Sequence, residues 1–170
     1  PARKTLIMIK RMKRLSHYLQ KVPGGNWILS RLIGLAVPYS GSMGANILEL
    51  GAGSAVVSLP DRRKVRNHLN SIHAVALANL GELTANLALI TLCPDRGRFI
   101  VTRMETDYVK KARGELVCTC DIPTDLPWET VERTAATATI VDASNEVVTR
   151  VTVYWKLGVS RPKPAEPEPS

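Results

Sequence analysis

The chain has 170 residues, 45% of them apolar, and a formal net charge of +8. That length and apolar share suit one folded domain with its own core and exclude general disorder. Its three cysteines show no Cys-x-x-Cys spacing and its three histidines no ligand spacing, which argues against a disulfide framework and against a metal site.

The charge is confined to one end. Residues 1–48 hold Arg3, Lys4, Lys10, Arg11, Lys13, Arg14, Lys21 and Arg31 and no acidic residue, while the other 15 basic residues balance the 15 acidic ones. The body is therefore neutral, and residues 1–26 read as a basic N-terminal arm. Such an arm fits an organelle-targeting segment, with the mitochondrial matrix as the expected location and the cytoplasm as the alternative. It also fits contact of residues 3–31 with an anionic membrane, with RNA or with an acidic partner in a large assembly. The plainest reading is a solvated helix face. An uninterrupted apolar stretch followed by a small-residue cleavage site, as in a secretory signal, is not seen.

In chain order, Leu6, Ile9, Met12, Leu15 and Leu19 recur at helical spacing over Thr5 to Leu19, and Pro23-Gly24-Gly25 ends that helix. Trp27 to Val37 is a short apolar helix closed by Pro38. Asn46 to Leu50 and Ala55 to Leu59 predict two strands joined by Gly51-Ala52-Gly53. Asp61 to Asn70 is a basic loop. Ile72 to about Leu92 predicts a long helix, with Ser71 as a plausible N-cap. Beyond Pro94 the period falls to two: Arg98 to Val109, Glu115 to Ile122, Thr134 to Val141 and Val147 to Leu157 read as strands, with Lys111 to Gly114 and Asp142 to Glu146 as hairpin turns. Cys118 and Cys120 share one strand face and read as small buried hydrophobes, like Cys93. The domain is expected to span residues 27–160, and the proline-rich tail, residues 161–170, to be disordered.

The long helix is apolar nearly all round, so it must be enclosed on every face. Lipid is the weaker enclosure, because Asn79, Glu82 and Asn86 fall within the stretch. One helix followed by successive antiparallel strands predicts an α+β layout with a sheet curled around that helix. Glu82 is expected to be a carboxylate buried in that wrapping; one short sheet leaves part of the helix bare, so a partner subunit is expected to cover the rest. His73 and Glu82 lie nine residues apart, about half a turn out of phase on a helix. They converge on one pocket only across a two-fold axis.

Asn67, then His73-Ala74 six residues on, then Glu82 nine residues after the histidine, resembles the signature of hotdog-fold acyl-CoA thioesterases of the phenylacetyl-CoA type. The wider run from PYSGSMGANILEL through SLPDRRKVRNHLNSIHAVALANLGEL is similar to a branch in which NHxxSxHAxA replaces the His-Gly-Gly form. The resemblance covers roughly Trp27 to Leu157. It implies a hotdog fold, a homodimer or dimer of dimers, and hydrolysis of an acyl thioester at the dimer interface. Glu82 matches the nucleophile or general base. The Ala74 N–H matches the donor that polarises the thioester carbonyl, with Asn67 and His73 holding the loop, orienting the carbonyl or positioning water. Arg62, Arg63, Lys64 and Arg66 are placed to pair with the phosphates of acyl-CoA, and no cofactor beyond the coenzyme A moiety of the substrate is implied.

The pattern also departs from the family. Ala74 and Val75 stand where it has glycines, and the assisting strand hydroxyl falls near Ile100. Thr102 substitutes only if the strand register shifts. The lost glycines and the basic arm favour the alternative, a non-catalytic hotdog subunit with an architectural or acyl-binding place in a larger assembly.

Overall fold

A computed structural model of the chain describes residues 18, 19, 21–128, 130 and 133–159. Most of the expected arm helix and the proline-rich tail lie outside these residues; Tyr18 and Leu19 are helical.

Helix α1 (Gly25–Ala36) begins after Gly24, whose φ of 77° turns the chain. Leu29 and Ile33 point into the core. Pro38 does end this helix, but it also opens a second: α2 (Pro38–Met43) carries the proline in its first turn, where the absent N–H costs nothing. Gly34 and Gly41 let the two helices cross with almost no separation.

Strands β1 (Asn46–Gly51) and β2 (Ser54–Leu59) form the expected hairpin, with Gly53 at φ 77° in its turn. Helix α3 (Ala74–Leu92) follows the basic loop. Then come β3 (Gly97–Tyr108), β4 (Leu116–Asp121), β5 (Arg133–Val141) and β6 (Val147–Val159). All six strands form one antiparallel sheet in the order β1-β2-β4-β5-β6-β3.

That order corrects one expectation. Lys111 to Gly114 is not a hairpin turn, because β3 pairs with β6 and β4 with β2. The segment is a crossover under the start of α3: the Ala112 carbonyl accepts the Ile72 N–H at 2.8 Å, and the Gly114 N–H donates to Asp61 at 2.9 Å. Asp142 to Glu146 is a true hairpin turn, closed by Asn145 at φ 60°.

Helix α3 lies on the sheet's inner face. It is long and apolar enough to cross a bilayer, yet half of it is buried inside the protein. Leu80, Ala85 and Leu89 meet Val57, Cys118, Ile140, Val153 and Trp155 there, all essentially without solvent contact. Gly81 makes the close approach possible, since a Cβ at that position would collide with Val151. The period-two alternation of β4 puts Leu116, Cys118 and Cys120 on the inner face, and that of β6 puts Val151, Val153 and Trp155 there.

One stripe of α3 stays open. Val75 is exposed, and Ala78, Glu82 and Asn86 are half-buried. Glu82 is therefore half-exposed rather than buried in the wrapping as expected, because the sheet curls around one side of the helix only.

Candidate functional site

The site is built around the first turn of α3. The chain enters the helix through Ile72 and an extended His73, held by the Arg66–Ile72 bridge and by the His73 N–H on the Val65 carbonyl at 2.8 Å. This displaces the helix start past Ser71. Ser71 is buried, and its hydroxyl donates to Asn67 Oδ1 at 3.1 Å, so it is not the N-cap.

His73 is the cap. Its Nδ1 accepts the Val75 N–H at 3.2 Å, which requires that nitrogen to be unprotonated. Its carbonyl accepts the Ala76 and Leu77 N–H groups at 2.9 and 3.1 Å. The Ala74 N–H is left with no partner among the described residues, on an exposed residue at the positive end of a 19-residue helix. The Tyr108 hydroxyl donates to the Ala74 carbonyl at 3.1 Å and pins the end of β3 to this turn.

Asn67 organises the loop before it. Its Oδ1 accepts from the Leu69 N–H at 2.9 Å, the Ser71 N–H at 3.3 Å and the Ser71 hydroxyl. The side chain is thus occupied by the loop backbone rather than aimed at open space.

A cavity of about 190 Å³ opens beside the turn, lined by Tyr39, Lys64, Arg66, His73, Val75 and Asn79 among others. It gathers Lys64 and Arg66 of the basic run with His73. Arg62 and Arg63 are exposed nearby and are not among its lining residues. Asn79 is buried, and its Oδ1 accepts from the Ser40 hydroxyl at 2.9 Å, which seats α2 against α3. Arg66 is committed to Asp61, with Nε 2.6 Å from Oδ1. That guanidinium, chiefly by its hydrogen bond, holds the Asp61 carboxyl below the usual carboxylate range.

Glu82 does not line this cavity. Its Oε1 accepts from Asn86 Nδ2 at 3.4 Å, and Asn86 Oδ1 accepts from the indole N–H of the fully buried Trp155 at 2.8 Å. A relay of two hydrogen bonds thus ties Glu82 to the core. Sequence reasoning missed the roles of Asn86, Trp155, Tyr108 and Asp61. Only Asn86 left a signal, four residues after Glu82 on the same helix face.

Strand β3 has a bulge at Thr102, which stays exposed like Ile100. Val101 pairs with Trp155 and Arg103 with Tyr154, so Thr102 is the extra residue of a bulge. Its hydroxyl donates to the Tyr154 carbonyl at 3.3 Å. A second cavity, of about 270 Å³, lies between α1, α2 and α3, lined by Arg31, Ile33, Leu35, Ile47, Leu83 and Leu87 among others.

A single long helix wrapped by a six-stranded antiparallel sheet, with β3 carried across to the far edge, makes this a hotdog-fold protein. The chain belongs to the family described as Domain of unknown function (DUF4442), whose model matches residues 25–157. It is similar to the crystal structure of genomics APC5556, with 27% identity and a TM-score of 0.75 over 90% of this chain and 99% of that one. A protein of unknown function from Pseudomonas aeruginosa is 20% identical, with a TM-score of 0.70 over 76% of this chain and 93% of that one. A mutant of a thioesterase enzyme from Staphylococcus aureus is 18% identical, with a TM-score of 0.62 over 69% of this chain and 95% of that one. No curated protein matches the chain.

Proposed function

We propose that the protein hydrolyses an acyl-CoA at a pocket shared by two protomers of a homodimer. The observation that carries this reading is the Ala74 N–H at the start of α3, without a partner among the described residues while His73 satisfies the three amides after it. A helix N-terminus with one open donor suits the oxyanion that forms when a thioester carbonyl is attacked. Glu82 of the other protomer then takes a proton from water as the water attacks, collapse of the oxyanion breaks the C–S bond, and the departing thiolate takes that proton from Glu82 and leaves as the thiol. Alternatively, its carboxylate attacks the carbonyl carbon and expels the thiolate, and water then hydrolyses the resulting mixed anhydride to the free acid and the regenerated carboxylate. The Asn86–Trp155 relay keeps the Glu82 side chain in one orientation. Lys64 and Arg66 at the cavity, with Arg62 and Arg63 beside it, match the phosphates of coenzyme A in charge. The 12-residue β3 forms an open sheet edge, which a second copy would extend.

The test is thiol release from short, long and aromatic acyl-CoAs. Glu82→Gln should lower turnover about 100-fold or more, the usual contribution of a positioned base. Unchanged turnover on a good substrate would remove Glu82 from the mechanism.

One observation favours the second reading, a non-catalytic acyl-binding or architectural subunit. Val75, standing where the thioesterase motif that the chain resembles has a glycine, follows Ala74 directly and is 53% exposed. On that reading no acyl-CoA is hydrolysed by a well-folded dimer. Deleting residues 1–26 then abolishes co-purification with a large partner and leaves the dimer intact.

A further inference from the structure

Helix α1 turns its more hydrophobic side outward. Leu29 and Ile33 are buried, while Ile28, Leu32 and Leu35 continue along the outer face at i, i+4 and i+7 with Trp27 beside them. Leu35 is 78% exposed and Trp27 62%. Val37 and Tyr39 extend the same apolar exposure into α2. A solvated helix would carry acids and bases on such a face; α1 carries Arg31 alone, packed over the Trp27 ring at 5.7 Å.

We propose that this face of α1 docks on the surface of an anionic lipid bilayer. Three observations select that occupant. The face is apolar with an aromatic residue at its rim, the pattern of a helix lying in the headgroup plane. It sits within a 48-residue stretch that carries all of the chain's excess charge and no acidic residue. Each Lys or Arg held near an anionic surface multiplies partitioning about five-fold, so such a stretch favours lipid phosphates and serines strongly. A second copy of the chain fits badly, because a two-fold contact sets this acid-free segment against its own like charge. Arg31 and Leu35 also line the 270 Å³ cavity, so its apolar lining adjoins the docking face.

The experiment is co-sedimentation of the full chain with vesicles of phosphatidylcholine, with and without phosphatidylserine. Trp128 and Trp155 are buried, so Trp27 is the solvent-facing tryptophan and reports docking directly. The expected result is binding to the anionic vesicles only, weakened by salt, with a blue shift of Trp27 emission. The variant Leu32→Glu with Leu35→Glu, whose side chains are outside the core, should keep its thermal transition and lose at least about ten-fold in partitioning. Failure to bind anionic vesicles would overturn the proposal. So would binding that survives in the double variant, which assigns it to the basic arm alone. A change in oligomeric state of the double variant without lipid would give the face to a second copy instead. None of these outcomes touches thioester hydrolysis, which is read separately.

Discussion

His73 closes the first turn of α3 with both its ring and its carbonyl, so its replacement is felt locally before it is felt chemically. His73→Ala should cost about 1 kcal/mol of stability by denaturant unfolding, the usual loss for a helix cap. Asn67 holds three loop donors through one oxygen, and Asn67→Ala should cost about 2 kcal/mol, given net contributions of roughly 1 kcal/mol for each well-made bond. Both losses precede any effect on substrate, which is why Asn67 and His73 can matter to activity without touching the reacting atoms. Asp61 gives a pH signature. Its folded pKa is depressed by Arg66, so the pair's stabilisation is present above the ordinary carboxylate pKa and is lost as pH falls through the lowered value. Arg66→Ala should therefore unfold more easily than the native chain at pH 7, and the difference should shrink in acid titrations monitored by circular dichroism. Burial pushes the Cys118 and Cys120 thiols up to about 12. Both should resist a thiol reagent at pH 8 in the native state and react at once in denaturant, since the thiolate is the reactive form.

At the scale of elements, helix and strand identities follow from periodicity, but their pairing does not. The alternation in residues 98–157 identifies four strands, yet nothing local distinguishes a hairpin at Lys111 to Gly114 from the crossover that is there. Ala112 reveals the difference only in three dimensions, buried at 2% exposure under Ile72. Pro38 shows the same ambiguity, since a proline that ends one helix is equally suited to begin the next. The contact between α3 and β6 is tight enough to test. Gly81→Ala should destabilise by about 1–3 kcal/mol, read as a lower thermal midpoint, because the added methyl runs into Val151 and one element must shift.

For the whole molecule, the open stripe of α3 and the free edge of β3 leave a hotdog fold with a carboxylate on one side and, at one end, an amide with no partner among the described residues. If the two act together across a dimer axis, complementation follows. Heterodimers of Glu82→Gln with His73→Ala should recover about half the native turnover, because one of the two pockets is then rebuilt from intact halves. Recovery of none would place both groups in the same protomer's site. The sequence by itself determined the main helices and the strands, that one apolar helix needs enclosure, and that the excess charge belongs to the N-terminal segment. These are properties of pattern, and pattern is local. Only the tertiary structure decided the strand order, the N-cap at His73 rather than Ser71, the bulge at Thr102, and the tie from Glu82 through Asn86 to Trp155. Each depends on which distant backbone group arrives to take a hydrogen bond, and residues 69 positions apart leave no periodic trace of meeting.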